Sequence, residues 1–436
     1  MAKLNQVHMW SLLRKFRKST HANVAIITAL AAFPMFFLAG MGVDYGMAAS
    51  DRAQLNAYAD AAALSAVTPN MMAQSVANAT TQAKNTFNAQ AGSMSGVSYT
   101  PSNVTVAITS SGSVRTATVS YTAAYTTIFG GLLGVSTMSL AGTATSTAGL
   151  APNIDFYLLL DDSPSMAIAA TQNGINTMVS NTNAQGGCAF GCHETHPSSD
   201  NLGNPGGEDN YTLARNLGVT LRIDLVNQAA QDLMTSAQTT ENTNKAAYRM
   251  AIYTFDNDFS SLQSLTSNLT VAKTSASHVS LATVYANNKL TSNNSNSDTD
   301  TDYDGAMGGI NPVMPNPGSG TNTAGDTPQE VLFLVTDGVE DEMVGGSRQQ
   351  SLMSNTWCNT IKGRGIRIAV LYTTYLPLPT NSWYNTYIDP FQANIDDTMS
   401  NCASPGLYFQ VSTGGDISAA MTSLFQLAVQ SAYLSK

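Results

Sequence analysis

The sequence predicts an α/β fold: an open, mainly parallel sheet with helices on both faces, preceded by a transmembrane helix and a small α+β region. Three observations carry this. Residues 23–43, "NVAIITALAAFPMFFLAGMGV", hold no charge. From Asn103 the pattern "NVTVAITSSGSVRTATVSYTAAYTTIF" alternates apolar residues with Thr and Ser, the period of a half-buried strand. From Pro152 onward apolar runs of strand length alternate with helical stretches, the rhythm of a parallel sheet wrapped by helices.

The elements follow in order. Residues 1–22 form a basic tail with Lys3, Arg14, Lys15, Arg17 and Lys18 and no acid. As a helix, residues 23–43 would cover roughly a 30 Å hydrocarbon core, and membrane helices tolerate a residue such as Pro34. Basic residues before the span and Asp44 after it predict a cytoplasmic N-terminus and an exported body. A cleaved signal peptide is the alternative; the run is long for that, and Ala48–Ser50 offers a weak cleavage signal. Residues 44–150 are expected to form an exported helix plus a small antiparallel sheet. Leu55, Ala59, Ala62, Ala63 and Ala66 mark one helix face, Thr68-Pro69-Asn70 breaks it, and a second helix covers "MMAQSVANATTQAKNTFNAQ". A hairpin turning at 110–113 and a strand in "TMSLAGTATSTAG" complete the region.

Residues 152–436 are expected to form the open sheet. Strands are predicted at 155–161, 249–255, 330–336, 366–372 and 407–411. Helices are predicted near 165–180, 219–237, 305–312, 347–363, 390–401 and 415–433. Polar insertions are expected near 181–211 and 291–329.

The 436-residue chain carries a net charge of −10, so the part after the basic tail stands at −15. An acidic body argues against nucleic acid as a partner, because phosphate binding needs a basic face. Four cysteines suit an oxidising compartment and allow three pairings; the one expected is Cys188–Cys192 and Cys358–Cys402. "CAFGCHETH" also allows a zinc site of Cys188, Cys192, His193 and His196, and it misses haem-attachment spacing by one residue.

In open α/β sheets ligands bind at the carboxyl ends of the strands. "DFYLLLDDSPSM" runs an apolar strand into Asp161, Asp162, Ser163 and Ser165, and "VLFLV" ends in Thr336-Asp337-Gly338. Between them lies the oxygen-rich "SDTDTDYDGAM". Carboxylate and hydroxyl oxygens from three loops suit a hard divalent cation, and these loops hold no Cys or His for a softer metal.

Asp161-x-Ser163-x-Ser165, a later Thr and a Thr-Asp-Gly together resemble the metal-ion-dependent adhesion site of von Willebrand factor A domains, over roughly residues 152–436. The resemblance implies Mg²⁺, with Ca²⁺ or Mn²⁺ as alternatives. Ser163 and Ser165 would bind it directly, Thr301 would be the family threonine before a helix, and Asp161 and Asp337 would act largely through water. One coordination position would be left for a carboxylate of a partner protein.

The front end, "NVAIITALAAFPMFFLAGMGVDYG…LNAYADAAALSA", resembles TadG-like proteins of the tight-adherence (Flp) pilus-assembly system. "CNTIKGRGIRIAVLYTTYLPLP" and "CASPGLYF" resemble that family's tail. The layout of residues 44–150 is analogous to a pilin. Prepilins carry a Glu where Ile27 stands, which puts peptidase cleavage in doubt.

The expected function is binding: a single-pass protein of the bacterial inner membrane, its body periplasmic or at the cell surface, that engages pilus-assembly components or a surface ligand. A scaffold with a vestigial metal site is the structural alternative. An enzyme acting on phosphoesters or esters is the third class. Aspartyl phosphatase chemistry wants a second acid at position 163, where Ser stands, and a serine hydrolase needs a positioned base. The stretch Asp300–Gly305 also matches half of a calcium loop, but Asn311 stands where Glu is required. Helix capping by Asp161 or Ser163 is the bland alternative.

Overall fold

The computed structural model describes residues 20–434 except 112, 288, 290–297, 299–300, 322–324, 346, 376, 379–380 and 413–414. Two units emerge, Met1–Ala148 and Gly149–Lys436.

In the first unit a single helix, α1 (Thr20–Ser65), contains Pro34 without breaking. Its apolar half stands almost wholly clear of other protein, and the helix is long and apolar enough to cross a membrane. Burial begins at Gly40 and recurs at Asp44 and Ala48, a spacing of four that keeps one face turned inward. Further along, Leu55, Ala59, Ala62, Ala63 and Ala66 are all fully buried. These small side chains let α1 lie close to β2 (Val114–Thr126), which pairs with β1 (Val104–Ser111) and β3 (Thr137–Gly149). Helix α2 (Val76–Ala91) closes the core, Phe87 packing on Tyr121 with ring centroids 5.5 Å apart. It starts where Ser75 caps the Asn78 N–H, six residues after Pro69.

The second unit is built on β4 (Ile154–Asp161), whose eight residues are all buried. Phe156, Leu158 and Leu160 enter one apolar layer, Tyr157 and Leu159 the other. A strand covered on both faces reads as an unbroken apolar run, and "FYLLL" is that run. Each fully buried side chain of this size contributes about 1.5–3 kcal/mol.

Around β4 the sheet order is β11 (Tyr408–Val411), β10 (Arg367–Thr373), β7 (Gln329–Thr336), β4, β5 (Tyr248–Phe255), β6 (Phe259–Thr266). All neighbours are parallel except β6, which runs antiparallel along β5 at the edge. This is a doubly wound order whose switch point lies between β4 and β7, where a crevice opens at the carboxyl ends. Helices α4 (Arg222–Asn244), α5 (Leu269–Ala276) and α9 (Ile417–Leu434) cover one face; α6 (Tyr303–Ile310), α7 (Thr356–Gly363) and α8 (Ile395–Cys402) cover the other. The first stretch after β4 is a 3₁₀ turn, Pro164–Ala167, before α3 (Gln172–Asn181).

Several elements differ from expectation. The helix expected near 165–180 is regular only from Gln172, and α5 lies where no element was expected. The helix expected over 347–363 is a strand and a helix: β9 (Ser347–Leu352) pairs antiparallel with β8 (Val339–Val344), and only Thr356–Gly363 is helical. Antiparallel pairing with the segment just before it in the chain overrides local helical spacing there. Edge strand β6 went unrecognised because "FSSLQSLT" is too polar for a strand core, as an edge permits. Cys358 and Cys402 form a disulfide between α7 and α8, with Cα atoms 5.1 Å apart. The expected Cys188–Cys192 bridge is not formed: Cys188 Sγ approaches the Phe190 carbonyl at 3.6 Å, and that contact orients the thiol within its own loop.

Candidate functional site

The parallel ladder ends with Leu160 beside Val335, so Asp161 and the Thr336-Asp337 pair leave adjacent strands at one level. Asp161 is fully buried and held from three directions. Its Oδ1 accepts from the Ser163 N–H (3.0 Å) and the Ser163 hydroxyl (2.6 Å), and its Oδ2 accepts from the Thr336 hydroxyl (2.5 Å). The Tyr303 hydroxyl, from α6, touches Thr336 Oγ1 in turn. Ser163 Oγ and Ser165 Oγ lie 3.0 Å apart. Ser163 opens the 3₁₀ turn but its side chain caps nothing, so the capping alternative does not describe it.

Asp337, also fully buried, accepts from the Val339 N–H at 3.3 Å. The turn that carries it requires glycine: Gly338 has φ +80°, and a Cβ there would stand 2.5 Å from Ile395 Cγ2. Burial raises the Asp337 carboxyl, while the Arg222 guanidinium and a Ser165 hydrogen bond act against that rise. Ser165 and Asp337 are therefore near neighbours. Asp161 is pushed up to about 7 by burial and then by the charge of Asp337, against the pull of Ser163 and Thr336.

Thr301 is buried and forms an antiparallel bridge with Asp341, N to O distances being 3.1 Å in both directions. It lines a cleft of about 160 Å³ together with Ser165, Asp341, Arg348, Tyr375 and Trp383. Arg348 reaches Asp341 and Asp298 across this cleft and lies 5.4 Å from the Trp383 ring centroid. Thus Asp161, Ser163 and Ser165 are joined by hydrogen bonds, Asp337 lies beside them, and Thr301 lines the same cleft as Ser165. Asp300 of the calcium-loop match lies outside the described residues. Asp302 of that match instead caps α6, accepting from the Gly305 N–H at 2.7 Å.

Two residues of the cluster were not foreseen, Tyr303 and Arg222; Thr336 was read as part of Thr-Asp-Gly, but its hydrogen bond to Asp161 was not. Arg222 opens α4, is buried, and places Nη1 3.5 Å from Asp337 Oδ2 and Nη2 2.6 Å from the Thr374 carbonyl. Nothing local in "TLRIDL" signals that role. Among the described residues no three His, Cys, Asp or Glu side chains converge as for a metal. The oxygen donors here are two carboxylates and several hydroxyls, a set that suits Mg²⁺ better than a transition metal. His193, offered as a zinc ligand, pairs with Asp209 at 2.8 Å.

The doubly wound order with an antiparallel edge strand, and the Asp-x-Ser-x-Ser loop beside Thr-Asp-Gly, agree with the von Willebrand factor A-like fold that the sequence resemblance implied. Residues 22–79 match the family described as putative Flp pilus-assembly TadE/G-like. Among solved structures, the chain is similar to the conserved hypothetical protein BatB from Bacteroides thetaiotaomicron, at 13% identity over 64% of this chain and 100% of that one, TM-score 0.35. It is similar to the vWF domain of the type V pili tip protein Mfa5 from Porphyromonas gingivalis, at 8% identity over 65% and 98%, TM-score 0.36. It is also similar to proximal thread matrix protein 1 from the mussel byssus with a zinc occupied MIDAS motif, at 9% identity over 64% and 49%, TM-score 0.32. A search of curated proteins returns no match.

Proposed function

We propose that this chain is a single-pass, membrane-anchored protein of Flp pilus assembly or surface attachment, and that its C-terminal domain binds a partner protein through a divalent cation, without catalysis. The observation that carries the reading is the continuous oxygen cluster Asp161–Ser163–Ser165–Asp337 at the carboxyl edge of the sheet. Ser163, Ser165 and Thr301 would hold Mg²⁺ through hydroxyls; Asp161 and Asp337 would hold it through water. The ion supplies a Lewis-acidic corner for a carboxylate oxygen of the partner.

Charge supports this reading. With both buried carboxyls ionised, as a bound cation would make them, they and the buried Arg222 guanidinium carry one negative charge in excess. A bound dication turns that into one positive charge, and an incoming carboxylate restores neutrality in a place where uncompensated charge is costly. The basic residues of 1–22 support a cytoplasmic N-terminus in the inner membrane and an exported body. The family match over 22–79 supports the assignment to pilus assembly.

Isothermal titration of the full chain in detergent with MgCl₂ tests the proposal. Saturable heat is expected from the wild type and none from Asp161→Ala or from Ser163→Ala combined with Ser165→Ala. A silent wild type overturns it and favours a scaffold whose site is vestigial, a reading to which Arg222, already beside Asp337, lends weight. Whether Asp161→Ala abolishes piliation or only attachment separates an assembly role from an adhesive one.

A further inference from the structure

The loop between β2 and β3 folds as a 3₁₀ turn, Gly130–Leu133, and turns an apolar surface outward. Ile128 is 59% exposed and Leu132 73%, with Leu133 and Val135 about half exposed. No charged residue occurs anywhere from Thr116 to Leu150. A soluble surface has no use for such a patch, and exposed apolar patches of this kind mark a partner.

The loop's position identifies that partner. Asp44, the first residue after the apolar span, accepts the N–H groups of Ile128, Phe129 and Gly130 at 2.7–2.9 Å. These bonds tie the loop to the point where α1 leaves the span. Phe129 reaches further down: a Cβ on Gly40 would stand 2.5 Å from its ring, so the ring lies directly on the helix there. Gly40 precedes Asp44 by four residues, which is about 6 Å deeper along the helix axis. A ring resting on the last turn of a membrane span lies at the depth of the headgroups or below, and exposed Tyr45 stands beside this level as interfacial aromatics do.

We propose that Thr127–Val135 is a lipid-contacting foot, its Ile128, Leu132, Leu133 and Val135 side chains seated in the boundary of the leaflet from which α1 emerges. The proposal rests on the reading of α1 as a membrane span. The foot and helix together make a two-point attachment, and so restrict the tilt of the first unit on the membrane where a single helix leaves it free.

The test uses the full chain in lipid vesicles, with Leu133→Trp and Leu30→Trp each compared with the parent chain and its three tryptophans. Lipids brominated near the glycerol end of the chain are expected to quench the added L133W emission. Lipids brominated near the chain terminus are expected to quench L30W, the control for the span. Ile128→Trp repeats the reading at a second surface position. L30W quenched with L133W and I128W untouched overturns the foot while sparing the anchor; L30W unquenched removes both. Emission of L133W that shifts with protein density and ignores bromine identifies a second copy as the occupant, and also overturns the proposal.

Discussion

Arg222 sets the charge balance of the candidate site. Removing a guanidinium beside a buried carboxylate strands that carboxylate, at a cost of about 3–5 kcal/mol in a buried pair. Arg222→Met is therefore expected to melt well below the wild type in chelator and to recover more than the wild type does when Mg²⁺ is added. Scanning fluorimetry with and without MgCl₂ checks this; equal recovery of both proteins counts against a cation next to Asp337. Asp161, Ser163, Ser165 and Asp337 were legible in the sequence because each follows an apolar strand. Arg222 was not, and neither was the contact of Thr336 with Asp161, because these pairings to Asp337 and Asp161 span 115 and 175 residues.

At the scale of elements, the disulfide fastens α7 to α8, the helix whose Ile395 and Met399 pack against Gly338 in the turn that carries Asp337. Cys358 and Cys402 are fully buried and 44 residues apart. Closing a loop of that length in the unfolded chain is worth about 4 kcal/mol. Cys358→Ser with Cys402→Ser is expected to lower the urea midpoint by a matching amount without abolishing the fold, since both apolar layers remain. The five parallel strands of the open sheet were legible to within a residue or two, because runs such as "FYLLL" and "VLFLV" are long and uninterrupted. Residues 347–352 were not, because "SRQQSL" gains its strand character only from pairing with Val339–Val344.

For the whole molecule, an acidic chain that buries carboxyl groups must lose stability as they ionise. Glu330 is 1% exposed, and burial, with the neighbouring Asp155 carboxyl adding to it, pushes its carboxyl up to about 8. The folded state then holds a proton that the unfolded chain releases near the ordinary value of 4.5, so stability falls as pH rises from there to about 8. One such group contributes a slope of at most about 1.4 kcal/mol per pH unit. Glu330→Gln is expected to flatten that decline, read as urea midpoints across the interval. A residual slope should persist from Glu194 and Glu340, both also pushed up to about 8, chiefly by burial.

What the sequence determined by itself is periodicity and local chemistry. It marks the uncharged span, the helical face from Leu55 to Ala66, the parallel strands and the oxygen-bearing residues at their ends, since each follows from a handful of neighbouring residues. The tertiary structure alone decided which distant groups share a space: Arg222 against Asp337, Tyr303 behind Thr336, Thr301 bridged to Asp341, Phe129 laid on Gly40. Such pairs form only when the sheet order brings separated segments together, and no spacing along the chain encodes the distance between them.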